Sequence, residues 1–203
     1  MGLLKMRTIL LATGNQDKAK EIKAMLGGDF EVVTMKDLGI DIEIIEDGVS
    51  YEENALIKVR ALKPYVQGKD MIIMGDDSGL SVDILNGEPG IYSARYAGEN
   101  VTYADNNKKL LDVMADVPEG KRGAAFITAI AMILPDGQEL TCQGLVRGKI
   151  AFDYCGEGGF GYDPLFIHEE TGHCYGDMTK EEKNRISHRA AAIAEAKELL
   201  LNR

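Results

Sequence analysis

Apolar and polar positions near the start of the chain follow the pattern of an α/β protein. Arg7–Ala12 is a short apolar run, which predicts a buried strand. Lys18–Leu26 has apolar residues at helical spacing and is followed by two glycines, which predicts a helix that ends there. Phe30–Met35 predicts a second strand. A strand, a helix and a strand in this order are typical of parallel pairing in an α/β fold.

The next part of the chain predicts a second helix and the most apolar strand. Residues 51–62 have helical spacing, and we expect Pro64 to end or kink this helix. The run Met71–Met74 is wholly apolar, which predicts a strand buried on both faces. We expect this strand to end at the polar run 75–79 and Leu80–Leu85 to form a separate strand.

The second half predicts a helix over Thr102–Met114 and a hairpin. The strands of this hairpin, residues 124–134 and 138–146, flank a Pro-Asp-Gly turn. Thr179 is followed three residues later by a glutamate, which fits a capping box at the start of a helix. Ser187 then fits the N-cap of a last helix.

Composition and charge narrow the class of protein. The 203 residues are 45% hydrophobic, which suits one domain with its own core over residues 1–203. The formal net charge of −10 disfavours duplex nucleic acid and anionic membranes as partners. A phosphate ligand would therefore need local cations or a metal.

Two further absences point to the cytoplasm. The N-terminal apolar run is shorter than that of a signal peptide, and no run reaches the length of a transmembrane helix. The three cysteines, Cys142, Cys155 and Cys174, are odd in number and contain no CxxC pair. We interpret them as buried free thiols.

The segment Thr13–Lys18 lies where the first strand should pass into the first helix. Backbone N–H groups at a helix N-terminus bind anions, and a lysine in the first turn adds positive charge, so one interpretation is a phosphate site. The alternative is a simple turn in which Asn15 is left-handed and Lys18 is solvated. The segment is not a Walker A loop.

Two adjacent carboxylates, Asp76 and Asp77, follow the most apolar strand. Strand ends of this kind are where α/β sheets usually bind ligands. Successive side chains point in opposite directions, so the two aspartates should have different roles. Carboxylates this close favour a cation such as Mg²⁺, although an ordinary Asp-Gly turn is the alternative. Glu53 is either a second metal ligand or a residue that stabilises its helix dipole.

A glycine-rich loop and a basic segment complete the candidates. Residues 158–164 combine a permissive backbone with two aromatics suited to stacking on a base, unless the loop only packs on itself. Residues 180–189 contain the densest basic patch of the chain. His188 and Arg189 fall in the first turn of the last helix, where an anion would relieve their charge. The alternative for this patch is a solvated surface.

Five segments together resemble the inosine triphosphate pyrophosphatase family, also called the Ham1-like or noncanonical purine NTP pyrophosphatases. The segments are LATGNQDKAKEI (11–22), YEENALIKVRA (51–61), DDSGLSVDILNGEPGIYSARYAG (76–98), GGFGYDPLF (158–166) and EEKNRISHR (181–189). They occur in the order typical of the family. The resemblance implies an α/β fold with an elongated mixed sheet, two lobes and a central substrate cleft, usually as a homodimer.

The resemblance also implies an activity and its residues. The reaction is Mg²⁺-dependent hydrolysis of ITP, dITP, XTP and dXTP to the monophosphate and pyrophosphate, which removes deaminated purines from the nucleotide pool. Asp77 matches the general base and a metal ligand, Asp76 is the carboxylate beside it, and Glu53 matches the other metal ligand. The substrate-binding matches are Thr13, Gly14, Asn15, Gln16, Asp17, Lys18, Ser78, Phe160, Gly161, Tyr162, Asp163, Lys183, His188 and Arg189.

Two rival functions stay open at this point. One is a Maf-like nucleotide pyrophosphatase with a different base preference, against which the segment 187–189 argues. The other is a non-catalytic nucleotide-binding protein, against which the intact carboxylates and Lys18 argue. The sequence does not settle whether Asp76 or Asp77 is the general base.

Overall fold

The computed structural model describes residues 6–202, which form two compact units. The first unit contains the described residues through Asp77, residues 129–143 and residues from 192 onwards. The second contains residues 78–128 and 144–191. Residues 1–5, which belong to the N-terminal run tested for a signal peptide, lie outside the description.

A six-stranded mixed sheet has the strand order β2-β1-β3-β4-β5-β6. Its strands are β1 (Arg7–Leu11), β2 (Phe30–Thr34), β3 (Met71–Val82), β4 (Gly123–Ile133), β5 (Glu139–Ile150) and β6 (Phe166–His168). β1 pairs in parallel with both β2 and β3, which confirms the predicted α/β start. β6 pairs antiparallel with β5.

The predicted hairpin is confirmed by β4 and β5, which are neighbours in the sheet. Leu134 donates its N–H to the carbonyl of Gln138 at 2.9 Å and closes the turn. Gly137 has a φ of 87°, a conformation that glycine adopts without a steric penalty. The Pro-Asp-Gly sequence therefore fixes the place where the chain reverses.

The predicted break between Met74 and Leu80 is wrong, because β3 runs without interruption from Met71 to Val82. Charged residues are usually disfavoured in the middle of a buried strand, because burying a charge costs free energy. Here Asp76 and Asp77 have lysine partners from two helices, which offset the cost of burial. The site carboxylates are therefore part of the sheet rather than of a loop at its edge.

Within residues 6–202, five α-helices accompany the sheet. They are α1 (Gln16–Leu26), α2 (Tyr51–Val66), α3 (Tyr103–Val113), α4 (Lys180–Ile186) and α5 (His188–Leu201). Short 3₁₀ turns cover Lys36–Leu38, Asp83–Leu85, Gly90–Arg95, Glu119–Lys121, Asp163–Leu165 and Tyr175–Asp177. α2 continues past Pro64 to Val66, so the predicted end near Leu62 is wrong. Only Tyr65 and Val66 lie beyond the proline, so the hydrogen bond that Pro64 cannot donate is lost in the last turn of the helix and not in its middle.

Both predicted caps at the last two helices are confirmed. The Thr179 hydroxyl accepts the N–H of Glu182, and the Glu182 carboxylate accepts the N–H of Thr179 in return. The Ser187 hydroxyl accepts the N–H of Ala190 at 3.1 Å, within the first turn of α5. These caps satisfy backbone donors that a helix start leaves unpaired.

The first unit buries both faces of its part of the sheet. Ile9, Leu11, Ile72 and Met74 belong to one apolar cluster, whereas Leu10 and Ile73 belong to another. Alternate residues of one strand face opposite sides of a sheet, so β1 and β3 are covered on both sides. This confirms the prediction made from the apolar run at 71–74. The second unit has its own cluster, which includes Leu80, Phe126 and Phe166 among others.

The interpretation of three free thiols is wrong for two of the cysteines. Cys155 and Cys174 form a disulfide with their Cα atoms 6.0 Å apart, whereas Cys142 is a buried free thiol. Cys155 donates its backbone N–H to the Pro164 carbonyl, and Cys174 pairs with Ile167 in an isolated antiparallel β-bridge. The fold, and not the spacing, brings these two sulfur atoms together. Within residues 6–202, no helix is long and apolar enough to cross a bilayer.

Candidate active site

The two aspartates of β3 have different partners in the first unit. Asp76 is 1% exposed, and its carboxylate forms an ion pair with Lys18 at 3.1 Å. Asp77 accepts a hydrogen bond from the Asn54 amide at 3.1 Å and contacts Lys58 at 3.3 Å. The extended backbone thus gives adjacent carboxylates separate environments, as the alternation of side chains predicts.

Lys58, which the sequence did not single out, is the centre of this arrangement. Its ammonium lies 2.7 Å from Glu46, 3.3 Å from the Asp77 carboxylate and 2.9 Å from the Asp76 carbonyl oxygen. Burial acts to lower the pKa of Lys58, but the charges of Asp77, Asp76 and Glu46 outweigh it and raise the pKa. Lys58 is therefore positively charged at neutral pH. We call Lys18, Glu46, Asn54, Lys58, Asp76 and Asp77 the carboxylate cluster.

Asn54 connects the loop before α2 to the carboxylate cluster. Its side-chain oxygen accepts the N–H of Gly48 at 2.9 Å, while its amide nitrogen donates to Asp77. A Cβ on Gly48 would lie 2.7 Å from this oxygen, so the close approach requires glycine. The helical spacing of Asn54 and Lys58, four residues apart, was the sequence signal that would have placed both on one face.

Glu53, the predicted second metal ligand, is exposed, and its carboxylate is hydrogen-bonded to the loop that precedes α2. Its carboxylate accepts the N–H of Val49 at 2.8 Å, and its N–H donates to Ser50 at the start of α2. Glu46 is instead the glutamate that shares Lys58 with Asp77. The role of Glu53 as a metal ligand stays a prediction, and Glu46 is a second candidate for it.

The segment Thr13–Lys18 forms the start of α1. Asn15 caps the helix, because its side-chain oxygen accepts the N–H groups of Asp17 and Lys18. Its φ of −79° is extended, so the alternative of a left-handed turn at this residue is wrong. Gly14 and Gln16 are exposed, and Thr13 accepts the N–H of Asn15. Lys18 is directed to Asp76 rather than solvated.

The predicted base-binding loop is anchored within the second unit by a buried ion pair. Asp163 accepts from Lys183 at 2.6 Å and from the N–H of Phe160 at 2.9 Å. Both charged side chains are at most 5% exposed. Gly159 has a φ of 77°, and a Cβ there would lie 2.3 Å from the Asp163 carboxylate. Glycine is therefore required for the loop to close around this carboxylate.

Phe160 is the half-buried aromatic of the loop, and cations lie against its ring. The Lys183 ammonium is 4.4 Å from the ring centroid, and the Arg189 guanidinium carbon is 5.8 Å from it. Arg189 also donates to the Ser78 hydroxyl at 3.0 Å. His188 stacks on Phe126 with centroids 4.7 Å apart. We call Ser78, Phe160, Asp163, Lys183, His188 and Arg189 the Phe160 cluster.

Lys183, His188 and Arg189 are all less than 5% exposed. The interpretation of their segment as a solvated surface is therefore wrong for these three residues. Tyr162, another predicted substrate contact, is also buried, and its hydroxyl donates to the carbonyl of Ser93 at 2.8 Å. The carbonyl of Gly161 accepts from Asn107. The Tyr162 side chain thus serves the core of the second unit.

The fold and these residues define an α/β protein with lysine-paired carboxylates in a central strand and a buried cationic cluster around an aromatic ring. A model of the Ham1 family matches residues 9–199, and the chain therefore belongs to the Ham1 family. This confirms the resemblance found in the sequence.

Individual relatives match over nearly the whole chain. A dITP/XTP pyrophosphatase of Caldanaerobacter subterraneus subsp. tengcongensis is 48% identical, covering 98% of each chain. The Staphylococcus aureus Ham1 protein superposes with a TM-score of 0.84 at 38% identity, covering 97% of this chain and 99% of the other. A nucleoside-triphosphatase/dITP/XTP pyrophosphatase structure from Mycobacterium abscessus has a TM-score of 0.73 at 39% identity, with coverages of 93% and 98%.

Proposed function

We propose that this chain hydrolyses noncanonical purine nucleoside triphosphates, dITP/ITP and XTP/dXTP, to the monophosphate and pyrophosphate. The observation that carries the proposal is the buried Asp76–Asp77 pair, neutralised by Lys18 and Lys58, in a Ham1-family chain. The names of the full-length relatives support the substrate class. Neither the Maf-like alternative nor the non-catalytic one has a comparable observation in its favour.

The reaction needs a base and a way to stabilise negative charge. In our proposal a water molecule adds its oxygen to the α-phosphorus and gives a proton to Asp77. The bond from the α-phosphorus to the bridging oxygen breaks, and pyrophosphate leaves with the electron pair. Each aspartate has a lysine partner, and Asp77 fits the base better because it is 7% exposed whereas Asp76 is 1% exposed. Lys18 also lies in the first turn of α1, where phosphate oxygens are stabilised.

The carboxylate cluster suits Mg²⁺ as a cofactor. Mg²⁺ takes oxygen ligands and usually binds through one or two carboxylates together with substrate phosphates. Asp77 and Glu46 supply such oxygens, and both contact the Lys58 ammonium. Among residues 6–202 no group of three or more candidate metal ligands occurs, so the substrate would complete the coordination. When bound, Mg²⁺ would offset the negative charge of the phosphates.

The Phe160 cluster supports the predicted contacts with the base and the phosphates. Its aromatic ring is suited to stacking, and its buried cations are suited to anionic or keto oxygen atoms. A site that pairs with a 6-keto purine rejects a 6-amino purine, because polar groups would be left mispaired. We assign this discrimination to the backbone of the Phe160 loop, His188 and Arg189.

The decisive experiment is a product assay with dITP, XTP, ATP and GTP, each with and without Mg²⁺. Monophosphate and pyrophosphate, formed selectively from dITP and XTP in the presence of Mg²⁺, are expected. Release of orthophosphate, or equal rates with ATP, would contradict the proposal. Asp77→Asn should abolish turnover and preserve the circular dichroism spectrum, and near-normal turnover would refute the role of Asp77. The homodimer and the cytoplasmic location stay predictions.

The metal ligands can be separated by a matched pair of variants. Glu46→Gln should raise the Mg²⁺ concentration needed for half-maximal activity more than Glu53→Gln does, because Glu46 shares Lys58 with Asp77. The reverse order would restore the sequence-based choice of Glu53. Glu53 lies in the first turn of α2 and Glu46 lies in the loop before this helix, so the two variants probe neighbouring parts of the chain.

A further inference from the structure

Asn107 of α3 holds the backbone of the predicted base-binding loop, and both belong to the second unit. Its amide nitrogen donates to the carbonyl of Gly161 at 3.0 Å, and the residue is 3% exposed. Four residues earlier on the same face of α3, the Tyr103 ring lies against the Phe160 ring, with their centroids 6.1 Å apart. The helix therefore contacts two successive residues of the loop.

Packing alone does not account for an asparagine at position 107. Its side-chain oxygen is buried and accepts no hydrogen bond from any described residue. An unpaired acceptor costs free energy, and a leucine of similar size would avoid this cost. Leu110, three residues later, already gives α3 a fully buried apolar contact. The observation that accounts for the amide of Asn107 is its bond to Gly161.

This bond fixes the plane of the peptide that joins Gly161 to Tyr162. The peptide is trans, so the N–H of Tyr162 points away from the carbonyl that Asn107 holds. No backbone carbonyl of a described residue accepts this N–H. Gly161 is half-buried, and open space lies where its Cβ would be. The peptide thus borders open space and directs a hydrogen-bond donor away from α3.

We propose that Asn107 is a positioning residue, which orients this peptide so that the Tyr162 N–H pairs with the 6-keto oxygen of the purine. The Tyr162 hydroxyl donates to the Ser93 carbonyl in the core, so a substrate contact of Tyr162 would come from its backbone. A 6-keto oxygen accepts from an N–H group, whereas a 6-amino group presents a donor to it and is rejected. This inference rests on the proposed function and assigns one group behind its base preference.

The test replaces Asn107 by leucine and compares dITP, dGTP and dATP in steady-state kinetics. The bases of dITP and dGTP both carry a 6-keto group, whereas that of dATP carries a 6-amino group. We expect kcat/KM to fall about 3–10-fold for dITP and dGTP, mainly through KM, which is the scale of one hydrogen bond. For dATP it should stay within about twofold of the parent value, because dATP cannot accept this bond. The preference for dITP over dATP should therefore decrease, while that for dITP over dGTP stays the same.

Asn106→Leu is the matched control. Asn106 is also 3% exposed on α3, but it bonds to the backbone of Ala94 and Ala97 instead of the loop. We expect this variant to lower the midpoint of thermal unfolding and to keep the parent preference for dITP over dATP.

Three results would overturn the inference. Unchanged kinetics in Asn107→Leu would remove the role of Asn107, and an equal fall for all three substrates would indicate a structural role. An equal change of preference in Asn106→Leu would assign the effect to α3 as a whole. If Asn107→Leu does not fold, Asn107→Ala, which adds no bulk, is measured in its place with the same expected outcome. Failure of the parent protein to hydrolyse dITP would instead refute the proposed function.

Discussion

Replacing Lys58 by methionine tests whether its charge holds the carboxylate cluster together. Methionine keeps much of the length and apolar surface of lysine but removes the ammonium group. Within the part of the chain that the structure describes, the buried Asp77 carboxylate would then keep only its hydrogen bond from Asn54, and Glu46 would lose its ion pair. Lys58 and Asp77 are each only 7% exposed, so water cannot readily replace the missing charge.

The loss of stability expected in Lys58→Met follows from the burial of the Lys58–Asp77 ion pair. Removing one partner of a buried ion pair costs about 3–5 kcal/mol, because the other charge is left without compensation. Glu46 adds little, since its side chain is 35% exposed. For a chain of this length each kcal/mol lowers the unfolding midpoint by about 2–4 °C, so we expect a fall of roughly 6–20 °C.

Thermal and urea unfolding of Lys58→Met at neutral pH are the measurements. Lys63→Met, an exposed lysine on the same helix, is the control and should change stability by less than about 0.5 kcal/mol. Adding Asp77→Asn to Lys58→Met should recover part of the loss, because the unpaired charge is removed. If Lys58→Met is as stable as the control, the charge of Lys58 does not support this cluster.

The contribution of Lys58 to the free energy of unfolding should decrease at high pH. In the folded protein the charges of Asp77, Asp76 and Glu46 outweigh burial and raise the pKa of Lys58 above its ordinary value of 10.5. A lysine whose pKa is higher in the folded state than in the unfolded state stabilises the fold fully at a pH below its pKa in the unfolded state. This stabilisation is lost as the pH rises through its pKa in the folded state. The difference in stability between the parent protein and Lys58→Met should therefore be constant near neutrality and shrink above pH 10.5. A difference that grows there would contradict the argument.

Three further predictions concern the second unit. Arg122→Met should lower stability by about 4 kcal/mol or more in urea unfolding, because the buried guanidinium donates four hydrogen bonds to backbone carbonyls. Dithiothreitol should lower the unfolding midpoint, because it reduces the Cys155–Cys174 disulfide, whose closure of a loop contributes about 3 kcal/mol to stability. It should not change the unfolding midpoint of a Cys155→Ser/Cys174→Ser variant. Asp163→Asn should raise KM for dITP at least about tenfold in steady-state kinetics, because Lys183 loses its buried counter-ion. An unchanged KM would exclude this ion pair from substrate binding.

Local patterns predicted most of the fold. The β1–α1–β2 start, the hairpin at Gly137 and the caps at Thr179 and Ser187 depend on neighbouring residues, and all were predictable. The continuity of β3 was not, because Asp76 and Asp77 resemble a turn until their lysine partners are known. Those partners come from other helices, so their effect is absent from the local sequence.

The residues of the candidate site also divide into those that the local sequence indicated and those that it did not. Asp77 stood out because it closely follows the apolar run 71–74, and Lys18 because it lies in the first turn of a predicted helix. Glu46 and Lys58 did not, because an acidic loop and a helical lysine are ordinary features until burial shows that they share a contact. Cys155 and Cys174 were misjudged for the same reason, since pairing is decided by distance in space.

The placement of Asp76 and Asp77 inside β3 restricts which insertions and deletions the chain can accept during evolution. Neighbouring residues of a strand face opposite sides, so inserting or deleting one residue before Asp76 would exchange the environments of the two aspartates. Lys18 would then meet the wrong carboxylate, and so would Lys58. Loops elsewhere can lengthen or shorten at little cost. We therefore expect length variation among descendants of this chain to avoid the stretch from Met71 to Asp77, even where individual residues are replaced.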